Sequence, residues 1–471
     1  MGQEIPRTRF DAQDFFLFEQ RLREETDILA HTLHTGRFEE TCCMGGLELE
    51  SWLLDHNYFP NPINEVFLAR LNNPLVVPEL SKFNVELNST PQQLHGDGLA
   101  RMEAELTATW RHCLEVAHEV ESALIMIGIL PTLRESELTL ANMSPLNRYY
   151  ALNTQVLLSR NGQPIKIDIN SAEHLRTLHQ DVMLEAAATS FQLHLQVPES
   201  DAVRYYNASI LASAPIVAAC ANSPFLFEKS LWDETRIPLF EQAVDSGTLE
   251  KRVTFGSGYL HESIFECFAE NLASYPILLP MHFDTDATEF SHLRLHNGTI
   301  WRWNRPLIGF DANGTPHIRI EHRVIPAGPS IVDQMANAAL YFGLAHFLAK
   351  LNTPPESTLP FATARENFYS AARNGLTANV TWLDNSVTDI RSLLLDELIP
   401  MARHGLKLLN INEDDRKRYL DIITSRVKTG QNGATWQRAY IDRHGRDFFK
   451  LTAAYLENQR SGLPVHEWDL D

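Results

Sequence analysis

Cysteine is scarce: the 471 residues hold five, Cys42, Cys43, Cys113, Cys220 and Cys267, an odd number without C-x-x-C spacing. That excludes a disulfide framework and a structural zinc site, so the cysteines read as reduced thiols. Long apolar runs are also lacking. The longest stretches, Ser122 to Leu130 and Ile210 to Ala221, are too short or too interrupted to span a bilayer, and no signal-peptide-like run opens the chain. A soluble, cytoplasmic protein is the expectation. No G-x-x-x-x-G-K-[ST] loop occurs, and Gly256-Ser257-Gly258 is too short for a dinucleotide fingerprint. Histidines pair at short spacing (His31 with His34, His174 with His179, His292 with His296), but no H-E-x-x-H is present. Zinc-protease chemistry is disfavoured.

Positive charge is in deficit as well, with 40 Lys and Arg against 60 Asp and Glu and a formal net charge of −20. Such a chain repels a phosphate backbone, and no basic run offers a local exception. Nucleic acid and membrane are not expected partners. A polyanion such as ATP would have to be held by bound cations and a few placed arginines.

What is present is ample apolar material for a large core, 44% of positions. Helical periodicity runs from about Phe10 to Arg37 and from Leu94 to Ile127, with shorter helical candidates at Pro145 to Leu158, Ala172 to Ser190 and Asp201 to Ala221. Between Phe225 and Pro329 the period is poor and aromatics, glycine and proline are frequent, as in long loops around short strands. After Ser330 the pattern is almost wholly helical. Residues 1–350 are read as a catalytic domain with an N-terminal helix, and 351–471 as a helical region packed on it.

Four short segments alternate apolar residues with chemically capable ones. Gly46 to Glu50 puts Glu48 and Glu50 on one face and Leu47 and Leu49 on the other. Phe83 to Asn88 carries Asn84, Glu86 and Asn88; Phe191 to Val197 carries Gln192, His194 and Gln196; Ile318 to Val324 carries Arg319, Glu321 and Arg323. The bland reading is a set of amphipathic strands with a solvated face. Against it, these faces hold Glu, Asn, Gln, His and Arg but no Lys. Converging glutamates repel one another unless cations neutralise them, and hard oxygen donors favour Mg²⁺ or Mn²⁺.

Those residues carry a resemblance. Gly46 to Glu50, Pro78 to Pro91, Gly128 to Leu133, Thr189 to Val197, Ala221 to Pro224 and Ile318 to Val324 resemble, in the same order, blocks of the second glutamate–cysteine ligase family. The resemblance covers roughly Gly45 to Leu340. It implies an α+β fold like the glutamine synthetase catalytic domain: a curved, mainly antiparallel sheet, flanked by helices, forming a funnel that binds ATP, two or three Mg²⁺ and an amino acid.

By the family's pattern Glu48, Glu50, Glu86 and Glu321 are metal carboxylates, with Gln192 or His194 near metal or nucleotide. Arg323 falls near the transferred phosphoryl group, Arg236 resembles a substrate-carboxylate arginine, and Asn222 is a further substrate contact; apart from the family's pattern, Arg302 and Arg305, in the aromatic loop region, are candidate nucleotide contacts. Many members carry histidine where Gln192 stands here. The implied reaction is ATP-dependent ligation of L-glutamate to L-cysteine through an acyl phosphate. Another acid or amine, a metal-dependent hydrolase using the same carboxylates and a binding protein with a retired site stay open, as does a homodimer.

Overall fold

The computed structural model describes residues 4–470. Its central sheet is built from eight strands: β1 (Met44–Leu54), β2 (Val76–Pro78), β3 (Asn84–Asn88), β4 (Gln92–Gln93), β5 (Ala123–Ile125), β6 (Ser190–Val197), β7 (Asn304–Phe310) and β8 (Pro316–Pro326). The order is β7-β8-β6-β1-β3-β2, with β4 and β5 also pairing β1, and every pairing is antiparallel. The four alternating segments are thus the four central strands. Register sets their polar residues side by side: Glu50 opposite Glu86, Glu48 opposite Gln192, and Glu321 opposite His194.

The other face is apolar. Leu47, Leu49, Val85, Leu87, Leu193, Leu195, Ile318 and Ile320 are all buried there. Each such side chain stabilises the fold by roughly 1.5–3 kcal/mol through burial. The helices Ala202–Cys220 and Ile331–Ala349 pack on this side of the sheet and on each other, and both are buried almost all round. Such helices need no polar stripe, which is why their sequences lack one. Helix Ile331–Ala349 meets helix Ile399–Leu408 at Gly343 and Gly405, where a Cβ on either would collide with the other's backbone. Only glycine permits that approach.

The chain after 350 joins the same core, which runs continuously from Phe18 to Trp468. Its docking is polar as well as apolar. Arg426 donates to Asp333 (2.7 Å) and Asn337 (2.6 Å), and the amide of Val465 donates to the second Asp333 oxygen (2.9 Å). Trp468 sits edge-on to Trp436 and Tyr455. The Pro464 to Trp468 segment is therefore a clasp.

Several expectations are corrected. Ala172 to Ser190 is not a helix but a strand, His174–His179, followed by a 3-10 turn, Met183–Ala187. Ile165, Ile167 and Ile169 alternate inward on the preceding strand and pair with it, so a hairpin wins over helical spacing. The helix predicted from Leu94 to Ile127 spans Gly98–Glu119, because Glu121 turns left-handed (φ 54°) and the chain returns as β5. Three helices, Arg236–Ala243, Phe265–Ser274 and Ser291–Gly298, lie where loops were expected. A small hairpin, Asn379–Thr381 with Val387–Asp389, interrupts the helical C-terminal part. Cys42 and Cys43 are joined through their sulfurs rather than free, because their side chains meet just ahead of β1; Cys113, Cys220 and Cys267 are free and buried.

Removing one partner of a buried ion pair strands the other charge. Arg426→Met is expected to destabilise the protein by about 3–5 kcal/mol, read as a shift of the urea unfolding midpoint, and the double variant with Asp333→Leu should recover part of that loss.

Candidate active site

The polar face of the sheet gathers its carboxylates into two groups rather than one. In the first, one ligand atom from each of Glu48, His194 and Glu321 lies within 4.8 Å of the others; Glu50, Glu79 and Glu86 form the second by the same measure. All four predicted glutamates are therefore in the site, divided between two positions. Glu79 was not anticipated. It follows Pro78 at the end of β2, outside any alternating strand, and only the pairing of Val77 with Glu86 brings it in.

The groups differ in charge balance. Glu321 accepts a two-pronged bond from Arg305 (2.8 and 3.1 Å) and another from Arg323 (2.9 Å). Burial opposes its charge, but Arg305, Arg323 and His194 outweigh burial and hold the carboxyl below the usual range. Burial likewise opposes the charge on Glu48; His194, 3.1 Å away, prevails and lowers it to about 2.

The second group has too little positive charge nearby. Burial first, then Glu50, raise Glu79 to about 8; burial, Glu48 and Glu79 push Glu86 well above its ordinary value. Burial also raises Glu50, although Ser190 donates to both of its oxygens (amide 2.7 Å, hydroxyl 2.8 Å). Asn88 satisfies one Glu86 oxygen (3.0 Å), while Glu86 Oε2 and Glu79 Oε1 are buried without a hydrogen-bond donor among the described residues. Three crowded carboxyls with orphaned oxygens fit a hard divalent cation. The first group, with a nitrogen between two carboxylates, also fits one.

Gln192 joins the two groups. Its amide nitrogen donates to Glu50 (3.1 Å), its oxygen accepts from Arg323, and Arg323 holds Glu321. Arg323 lies where the register of β8 shifts, between His322 and Ile325. The bulge is fixed by the Arg323 amide donating to the Trp303 carbonyl (3.0 Å). Beyond Glu48 and His194 the funnel opens into a cavity of about 550 Å³ lined by Gly45, Gly46, Gln196, His317 and Arg319.

Two predicted contacts lie elsewhere, and a third borders the site. Arg302 is sealed against Asn271 (2.6 Å) and Glu270 (2.8 Å), with the Tyr275 ring beneath its guanidinium. Its β-strand neighbour is Thr254, on a separate two-stranded ladder, which turns it away from the funnel. Asn222 is fully buried and fully bonded, to the Ala327 carbonyl, the Tyr455 hydroxyl and Gln437, so it ties the C-terminal helices down instead of meeting a ligand. Arg236 is 3% exposed and engaged by Glu234 (2.9 Å) and the Val324 carbonyl (3.3 Å), and its charge reaches the site through Glu50. Arg305, by contrast, was a loose nucleotide candidate in sequence and is a direct partner of Glu321. Glu185 was missed; its carboxyl neighbours Glu79, Glu50 and Arg323.

With this geometry in view, the sequence profile of glutamate-cysteine ligase family 2 matches residues 44–454. The chain belongs to that family, a class of ATP-dependent carboxylate–amine ligases. No curated protein matches it. Among solved structures, a glutamate–cysteine ligase from Francisella tularensis in complex with AMP superposes with a TM-score of 0.55 at 11% identity, covering 92% of this chain and 91% of that one. A bifunctional glutathione synthetase from Pasteurella multocida gives 0.47 at 12% identity, over 94% of this chain and 54% of that one. The first likeness extends the agreement to the fold, a mixed structure around a curled antiparallel sheet. No helix among the described residues is long and apolar enough to cross a membrane.

Two outcomes follow. Manganese titration followed by electron paramagnetic resonance is expected to find two sites in the wild type; Glu86→Gln should remove one, Glu48→Gln the other, each leaving the protein folded. The second concerns Glu241, which accepts from Trp303 (2.9 Å) and Tyr369 (2.8 Å) behind the Arg323 bulge and is raised by burial to about 7. A carboxyl raised in the folded state stabilises most below its unfolded value near 4.5, and loses that contribution as pH rises through 7. Between pH 4.5 and 8 the wild type should lose on the order of 3 kcal/mol relative to Glu241→Gln, measured by denaturant unfolding at each pH.

Proposed function

We propose that the protein is an ATP- and Mg²⁺-dependent glutamate–cysteine ligase that forms a γ-glutamyl amide through an acyl phosphate. The observation that carries this reading is the pair of carboxylate groups linked by Arg323 and Gln192. Phosphoryl transfer from ATP to a carboxylate brings many negative oxygens together, and positioned positive charge is what lowers its barrier.

When bound, divalent cations would supply most of that charge, one held by Glu50, Glu79 and Glu86 and another by Glu48, His194 and Glu321. The protein's own groups do the rest. Arg323 and Arg305 place two guanidiniums at Glu321, and Arg323 faces the region between the groups, where the transferred phosphoryl would lie. The cavity at Gly45, Gly46, Arg319 and His317 is of ordinary size for a small ligand and suits the nucleotide. The other end, at Glu50, Glu79 and Glu86, suits the amino acid. Membership of the family supports ligation over hydrolysis by the same carboxylates; the choice of glutamate and cysteine rests on the family resemblance alone.

The test is ADP release coupled to a reporter, with ATP, Mg²⁺, L-glutamate and L-cysteine omitted in turn. Release is expected only when all four are present, and Arg323→Ala should slow it by roughly 10²–10³-fold. Release with a different acid or amine in place of these would keep the ligase and change its substrates. Substrate turnover without ATP would sink the ligase reading.

A further inference from the structure

We propose that Cys42 and Cys43 form a thiol–disulfide exchange site for small thiols, with Cys42 as the sulfur attacked and Cys43 as the resolving sulfur. The pair stands just ahead of β1, joined through its sulfurs. Exposure alternates from Cys42 through Glu50, and Cys42 falls in phase with Met44, Gly46 and Glu48, three residues that line the cavity of about 550 Å³. Cys42 is half-buried, whereas Cys43 is 4% exposed. A small thiol coming from solvent therefore meets the Cys42 sulfur first. The other cysteines are poor competitors. Burial pushes the thiols of Cys113 and Cys220 up to about 12 and raises that of Cys267, so none of them offers a thiolate near neutral pH.

A polar pair is built against these two sulfurs. The Tyr205 hydroxyl lies 3.6 Å from each of them and 2.6 Å from His346 Nδ1. One ligand atom from each of Cys42, Cys43 and His346 lies within 4.8 Å of the others. Tyr205 stands on the helix Ala202–Cys220 and His346 on the helix Ile331–Ala349, which pack on each other, so the hydroxyl is held in place. Burial raises the Tyr205 hydroxyl and lowers His346 to about 4, so near neutral pH the hydroxyl keeps its proton and the imidazole is neutral. A hydroxyl has one proton and two lone pairs, so it donates to a thiolate and accepts from a thiol. A neutral imidazole carries its proton on either nitrogen, so Nδ1 donates to the hydroxyl in the first case and accepts from it in the second. The pair thus serves both states of the cysteines.

The exchange balances. A small thiolate bonds to Cys42 Sγ, the bond between the two cysteine sulfurs breaks, and Cys43 Sγ departs with the electron pair. The new thiolate takes the Tyr205 hydrogen bond and then a proton from solvent. A second small thiolate attacks the sulfur that the first one brought, forms a small-molecule disulfide, and releases Cys42 as a thiolate that is protonated in turn. Two small thiols have then given up two electrons and two protons, and the protein pair has gained both. In the reverse direction Cys43 attacks Cys42 of the mixed disulfide and expels the small thiol.

L-Cysteine and L-cystine are the probes, read by alkylation of quenched samples and peptide mass. In the folded wild type, L-cysteine is expected to open two alkylatable thiols on the peptide that holds both residues, and L-cystine to close them again. In Cys43→Ser, L-cystine should leave one stable cysteine adduct on Cys42; in Cys42→Ser, Cys43 should take at most about a tenth as much. Tyr205→Phe, checked for folding by circular dichroism, should slow the opening roughly 5- to 10-fold, the effect of one lost hydrogen bond. Opening that occurs only in urea would overturn the proposal, as would equal adducts on the two single variants or an unchanged opening rate in folded Tyr205→Phe. So would retention of one equivalent of added Zn²⁺ by a reduced protein that no longer closes, since Cys42, Cys43 and His346 would then be a metal site. None of these readouts involves ATP or turnover, so this inference and the ligase reading stand or fall separately.

Discussion

The structure is organised around one electrostatic problem: carboxylates crowded on one face of a sheet. Period-two alternation puts every second residue of β1, β3, β6 and β8 on that face, and antiparallel register then sets Glu50 beside Glu86 and Glu321 beside His194. Unscreened, such a cluster would cost many kcal/mol. The protein solves half of it internally, with Arg305, Arg323 and His194 around Glu321 and Glu48. The other half it leaves unsolved. Glu79 and Glu86 are pushed towards the protonated form, each with one oxygen that no donor among the described residues reaches. A site that is internally unbalanced at one end is a site prepared for a cation.

Preparedness of that kind needs a stiff frame, since three carboxyls would otherwise swing apart. The stiffness comes from the opposite face, where close-packed leucines, valines and isoleucines lie under two helices buried almost all round. It comes also from the chain beyond residue 350. Asn222 binds the Tyr455 hydroxyl and Gln437, and Arg426 locks onto the helix that covers the sheet. The C-terminal region thus bears on the site through its walls.

Much of this was legible in sequence, for a specific reason. Alternation is a local property, so the faces carrying Glu48, Glu50, Glu86, Gln192, His194, Arg319, Glu321 and Arg323 could be read without knowing the partners of their strands. The grouping could not, because register and sheet curvature decide which glutamates meet. Residues on turns were invisible for the complementary reason: Glu79 follows a proline and Glu185 sits in a single 3-10 turn, and neither has a period to betray it. Arg302 and Asn222 misled in the opposite direction. Each is a polar residue in a distinctive sequence setting, and each is spent on internal bonds.

Gln192 is where these strands of argument meet. An ionised histidine there would add positive charge beside Glu50 and ease the imbalance that favours a cation. A glutamine adds none. It instead offers one acceptor and one donor on a single planar amide, and the neighbours use both: Arg323 has only donors to give and takes the oxygen, while Glu50 has only acceptors and takes the nitrogen. The amide is therefore locked in orientation, and it couples the positions of Arg323 and Glu50 without contributing charge to either. Moving one group moves the other. In a reaction that needs a carboxylate, a phosphoryl group and a guanidinium in register, a neutral and rigid linker between the two carboxylate groups is a means of alignment, and it shifts the work of neutralisation onto whatever Glu50, Glu79 and Glu86 bind.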